Sequence, residues 1–100
     1  DATVHGAVPV ADGGWTTLLG MGEFQYSITD PFEPPAVFKW IQEVTGLERD
    51  EMYRTFNMGT GFVVAAPESS AKEIAAATDG QIIGVVDQGS GVAIQGMDVC

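Results

Sequence analysis

The chain has 100 residues, 45% of them apolar, which suits one compact domain with a real core and argues against disorder. Fourteen acidic residues face four basic ones for a net charge of −10, so nucleic acid is a poor partner: neutralising phosphates needs Lys and Arg in patches, and Lys39, Arg49, Arg54 and Lys72 are scattered. No run approaches the roughly 20 apolar residues of a membrane span, and a lone cysteine, Cys100, rules out an internal disulfide and fits a reducing compartment.

In chain order, Val4 to Val10 mixes β-branched and small residues and predicts a strand edged or ended by Pro9. Asp12-Gly13-Gly14 is a tight turn feeding a short helix, Trp15 to Leu19, closed by Gly20 and Gly22. Glu23 to Ile28 alternates polar and apolar residues, the period of a half-buried strand, and Thr29 to Pro35 is a loop whose last proline suits the first turn of a helix. Val37, Phe38, Ile41 and Val44 then fall at helical spacing up to Gly46.

A shorter helix covers about Asp50 to Phe56, with Glu48, Asp50 and Glu51 acidic near its start, where the helix dipole favours them. Gly59 and Gly61 flank a turn, with Gly61 expected to need a positive φ, and Phe62 to Ala66 reads as a buried strand. Ser70 to Glu73 has the spacing of a capping box, opening a helix that Asp79-Gly80 stops. Gln81 to Val86 and Gly91 to Gln95 predict a terminal hairpin around residues 87–90. These elements predict one α+β domain, a mixed sheet packed in layers against helices.

Chemistry is sparse. His5 is the single histidine and has no second histidine or cysteine near it in sequence to build a metal site, so no metal ligand is assigned. The carboxylates are spread, and Cys100 is read as a terminal bystander. Phe24, Tyr26, Phe32, Phe38 and Trp40 are expected to be core or interface aromatics. Two glycine clusters carry more. Gly13-Gly14 precedes a helix start, where free backbone N–H groups hold anions, and Gly59-Thr60-Gly61 lets a ligand approach the backbone; each is also readable as an ordinary turn.

The run Glu51-Met52-Tyr53-Arg54-Thr55-Phe56-Asn57-Met58-Gly59-Thr60-Gly61 resembles the signature of aminoimidazole ribonucleotide synthetases, the phosphoribosylformylglycinamidine cyclo-ligases. Pro34 to Gln42 looks like the family's preceding helix and Ile82 to Val86 like its penultimate strand, so the resemblance runs from about Val4 onward. It covers the later part of the family's C-terminal domain. It implies that an N-terminal ATP-binding domain, and the opening strand and helix of this domain, belong to the complete enzyme but not to this chain, as expected of a processed or excised piece. The signature also points away from the wider superfamily of selenophosphate synthetase, thiamine-monophosphate kinase and hydrogenase-maturation relatives.

The resemblance implies a cytoplasmic, homodimeric ligase of purine biosynthesis that uses ATP and Mg²⁺ to close the imidazole ring of formylglycinamidine ribonucleotide; this chain alone is expected to be inactive and to bind no cofactor. It further implies that Gly13, Gly14, Arg54, Asn57, Gly59 and Gly61 face the phosphorylated ribonucleotide substrate, with Arg54 either an anion partner or a structural tie. The first loop departs from the family pattern of a histidine, a Thr- or Ser-initiated glycine run, an Asn and an Arg. Here Val10-Ala11-Asp12-Gly13-Gly14 carries no histidine, Thr17 stands at the Asn position, and Gly20 at the Arg position. That departure keeps open a second expectation, a diverged, non-catalytic relative serving as a binding or assembly module.

Overall fold

The computed structural model describes residues 4–10 and 14–100, and the predicted turn at Asp12-Gly13 lies outside them. Strand β1 (Gly6–Pro9) leads to a 3-10 helix (Gly14–Met21), then β2 (Gln25–Ile28), α1 (Ala36–Thr45) and α2 (Arg49–Thr55). Strand β3 (Phe62–Ala65), α3 (Glu68–Thr78), β4 (Gly84–Asp87), β5 (Gly91–Ile94) and β6 (Met97–Asp98) follow. The architecture is α+β, as predicted, with the strands divided between an antiparallel pair, β1-β3, and a mixed sheet in the order β4-β2-β5-β6.

The terminal hairpin is corrected. Strands β4 and β5 do not pair with each other; β2 lies between them, antiparallel to β4 and parallel to β5. The short connection clears the end of β2 because Gly89 and Gly91 adopt φ of 140° and 145°. A Cβ on Gly89 would come within 3.1 Å of the Gln25 Cβ. The hairpin that does form joins β5 to β6 through Gln95-Gly96, both at positive φ, the conformation of a two-residue turn whose twist matches the strands.

The 3-10 helix is longer than the predicted one and runs past Gly20 to Met21. Residues three apart align on such a helix, which puts Trp15 and Leu18 in the core and Met21 against it. The helix packs on α2, β1 and β5. Around it gather Val10, Tyr26, Ile28, Met52, Tyr53, Met58, Val92, Ile94 and Val99, all buried. Tyr26 keeps its hydroxyl satisfied by donating to the Gly22 carbonyl at 2.9 Å, and burial raises its pKa above the usual phenol value.

Two further expectations are corrected. Strand β3 alternates between half-buried and exposed residues, because Val63 turns to the core while Phe62 and Val64 turn away from it. Helix α3 starts at Glu68, two residues before the supposed cap; Pro67 precedes it and accepts the Ser70 and Ala71 N–H groups, so Ser70 lies buried inside the first turn. Of the five aromatics expected in the core or at an interface, Tyr26 is buried and Phe38 is half-buried against Phe56, while Phe24, Phe32 and Trp40 lie exposed, Trp40 at 62%. Helix α1 in fact buries no residue fully, and its Gly46 cap sits at φ 72° as the sequence indicates.

Replacing Ile94 by Ala should lower unfolding free energy by about 2–5 kcal/mol. Val44→Ala, on the exposed side of α1, should stay within about 0.5 kcal/mol, and Phe38→Ala should fall between the two. Chemical denaturation of the three variants measures this ranking, and a Val44 effect equal to that of Ile94 contradicts the placement of α1.

Candidate functional site

Two segments that sequence reasoning treated separately converge here: the start of the 3-10 helix and the turn after α2. Gly14 is buried at φ 56°, and a Cβ there would stand 2.3 Å from the Tyr53 carbonyl oxygen and 2.8 Å from the Arg54 carbonyl carbon. Only glycine lets these backbones approach so closely. Next to it, Trp15 packs edge-on against Tyr53, with centroids 6.0 Å apart, and its indole Nε1 donates to the Asn57 carbonyl at 3.1 Å. The end of β1 joins the same place, since the Val10 N–H donates to the Gly61 carbonyl at 2.9 Å.

The turn itself is built by Asn57. Its Oδ1 accepts the Gly59 N–H at 2.8 Å, and its carbonyl accepts the Thr60 N–H at 3.0 Å. An asparagine side chain bonding to the backbone two residues on is a compact way to form such a turn. The left-handed positions are Met58 (φ 54°) and Gly59 (φ 91°). Gly61 is not among them and faces open space, which removes the expected reason for glycine there. Gly59 backs onto Pro35, where a Cβ would lie 2.4 Å from the ring Cδ. Thr60 is buried, so Gly59 and Gly61 form the exposed rim.

Arg54 shows which of its two readings the geometry favours. Its Nε and Nη2 donate to the Glu51 carboxylate at 3.1 and 2.9 Å, Nη2 also reaches Asp50 at 2.9 Å, and Nη1 donates to the Val99 carbonyl at 3.0 Å. Four hydrogen bonds hold the guanidinium as a tie between α2 and the segment after β6, and leave it little capacity for an anion. The Arg54 hydrogen bond is the first cause that holds the Asp50 carboxyl below its ordinary pKa.

The structure therefore brings together Gly14, Arg54, Asn57, Gly59 and Gly61, while Gly13 lies outside the described residues. Sequence reasoning missed Trp15 as the link between the two glycine segments; a buried indole needs an acceptor, which is the signal that points to it. His5 is exposed, and among the described residues no three His, Cys, Asp or Glu side chains gather to hold a metal ion. No helix among the described residues is long and apolar enough to cross a membrane.

An α+β domain whose Asn57-built turn is clamped to a glycine-led 3-10 helix meets its counterpart in known families. The family model described as "AIR synthase related protein, C-terminal domain" matches residues 2–96, and the chain belongs to that family. Among its relatives, the phosphoribosylformylglycinamidine cyclo-ligase of Methanosarcina barkeri is 39% identical over 92 residues, covering 92% of this chain and 27% of the relative. That of Methanococcoides burtonii is 35% identical over 99 residues, covering 99% and 29%. The chloroplastic enzyme of Arabidopsis thaliana is 35% identical over 103 residues, covering 92% and 26%. The chain thus spans less than a third of the length of these relatives.

Gly14→Ala should destabilise the fold by at least about 1 kcal/mol, because both φ and space oppose a side chain. Gly61→Ala should change it by no more than about 0.5 kcal/mol, and thermal denaturation of the pair tests the contrast. The Asp50–Arg54 pair has its own pH signature. A carboxyl with a lowered folded pKa stabilises above the unfolded pKa and loses that contribution as pH falls through the folded value. Asp50→Asn should therefore flatten part of the stability loss between neutral pH and the acid end of the carboxylate range. Equal acid sensitivity in both proteins removes Asp50 from the account.

Proposed function

We propose that this chain is the C-terminal portion of a phosphoribosylformylglycinamidine cyclo-ligase, which closes the imidazole ring of formylglycinamidine ribonucleotide to aminoimidazole ribonucleotide in purine biosynthesis. The observation that carries the reading is the Asn57-to-Gly61 turn, clamped by the Trp15 indole and open at Gly59 and Gly61. With Oδ1 of Asn57 engaged by the Gly59 N–H, its amide NH₂ is the group left to offer a ligand, beside a rim where missing side chains admit a substrate phosphate or amide.

The complete enzyme on this reading is a cytoplasmic homodimer in which ATP with Mg²⁺, when bound, would supply the phosphoryl group that lets the formyl oxygen leave as phosphate as a substrate nitrogen closes the ring. The described residues of this chain do not fit a nucleotide–metal site: their carboxylates are dispersed, and the Arg54 donors are largely spent inside the fold. ATP and Mg²⁺ are therefore assigned to the N-terminal domain, and this chain's share is to bind and orient the ribonucleotide and exclude water.

A second reading, a diverged binding or assembly module, rests on the 3-10 helix. The Thr17 hydroxyl, at the position where the family carries Asn, donates to the Gly14 carbonyl at 2.9 Å and is thus engaged within its own helix. Gly20, at the Arg position, offers no side chain at all. Titration calorimetry of formylglycinamidine ribonucleotide into the longest natural polypeptide containing this domain, with and without Mg-ATP, decides between them. Binding with ADP release is expected of the cyclo-ligase; no binding by a folded protein selects the diverged module.

A further inference from the structure

The Asn57-to-Gly61 turn is held from outside at two points that differ in kind. Behind Gly59 stands the Pro35 ring, which leaves no room for a Cβ. That apolar contact limits how far the turn can move, but it has no direction. At the other end the Trp15 indole Nε1 donates to the Asn57 carbonyl at 3.1 Å, and a hydrogen bond fixes orientation as well as distance. The same carbonyl accepts the Thr60 N–H at 3.0 Å, a bond inside the turn.

The indole is itself held fast. Trp15 is 0% exposed, packs edge-on against Tyr53, and follows Gly14, whose main chain is pressed against that of Tyr53 and Arg54. Its N–H therefore points at one acceptor. The turn needs that hold, because Met58, next to Asn57, is a non-glycine residue at φ 54° with its side chain in the core. Such a conformation persists only where the surroundings impose it. Relaxation of Met58 toward ordinary backbone angles turns the adjoining peptide. The Asn57 carbonyl then leaves the indole, and the 2.8 Å bond from the Gly59 N–H to Asn57 Oδ1 is lost with it.

We infer that Trp15 is a positioning residue for substrate recognition: its indole N–H locks the peptide after Asn57 and so aims the Asn57 amide NH₂ at an acceptor oxygen of the ribonucleotide. The inference rests on the ribonucleotide reading of this turn. With no exposed surface, Trp15 meets no ligand itself. It acts through Asn57, on a contact made alike in the bound substrate and in the transition state, so its effect falls on KM rather than on kcat.

Steady-state kinetics on the longest natural polypeptide containing this domain compares Trp15→Phe with Leu18→Ala. Phenylalanine keeps an aromatic ring beside Tyr53 and deletes the N–H. Leu18→Ala deletes a buried side chain of the same helix that has no polar group to bond the turn. Trp15→Phe should raise the KM for formylglycinamidine ribonucleotide about tenfold, the effect of one lost hydrogen bond, and leave kcat within about twofold. Leu18→Ala should leave KM unchanged. A wild-type KM in Trp15→Phe, or an equal rise in both variants, overturns the inference.

If Trp15→Phe does not fold, the indole N–H resonances of the unsubstituted protein decide. Saturation with the ribonucleotide should shift the Trp15 signal and leave in place that of Trp40, on the exposed side of α1. A stationary Trp15 signal at saturation overturns the inference. An unsubstituted protein that neither binds nor turns over the ribonucleotide sinks the proposed function instead, and amide exchange at Gly59 then judges Trp15 alone. Faster exchange in Trp15→Phe than in Leu18→Ala keeps it as the anchor that aims Asn57, and equal exchange removes it.

Discussion

Burial of the Trp15 indole is the constraint on which the other elements depend. A tryptophan buries its large ring only where its one N–H finds an acceptor, and here that acceptor is the main chain of Asn57, forty-two residues away in sequence. The bond places the 3-10 helix against α2, and Gly14, by lacking a Cβ, allows the two backbones to close. Leu18, three residues along on the same face, reaches the core shared with the mixed sheet. The Asn57-to-Gly61 turn and the core are thus held by one side chain.

Electrostatics serve the same assembly. With fourteen acidic residues and four basic ones, most of the surface repels itself, and both cations of α2 act at one junction. Arg54 ties Asp50 and Glu51 to the Val99 carbonyl, while Arg49 lies over the Tyr53 ring and donates to the Gln95 side chain. Exposed ion pairs stabilise little by themselves. Their role here is positional, since both arginines connect α2 to the β5–β6 hairpin that carries Val92, Ile94 and Val99 into the core.

Helix stops and strand alternation are legible in the sequence, whereas the Ser70 cap, the end of the 3-10 helix and the long-range pairing are not. Gly46 and Asp79 end their helices where their left-handed conformations are needed, and the Tyr26/Ile28 alternation marks the buried face of β2. Two of the differences concern what a strand meets far away in sequence. Sequence neighbours β4 and β5 suggest a hairpin, yet β2 intervenes, and nothing in residues 84–94 encodes a partner from 25–28. The apolar run Phe62 to Ala66 looks buried because composition does not reveal that only one face of the strand meets the core. In the candidate site, the glycines were visible one cluster at a time, whereas their junction depends on an indole that carries no motif. Arg54 was ambiguous in sequence because its carbonyl partner at Val99 has no side-chain signature.

The sandwiching of β2 between β4 and β5 also sets the order of events during synthesis. Tyr26 takes its partners from Val86 and Val92, sixty and sixty-six residues later. Pairing across such a span requires closing a long loop before any contact is gained, which makes it slow relative to helices and local turns. While the chain leaves the ribosome, β2 therefore stays without its sheet, and Trp15 without its Asn57 acceptor, until most of the domain has emerged. The early nascent chain exposes Trp15, Leu18, Tyr26 and Ile28 together, a cluster of the kind that holding chaperones recognise.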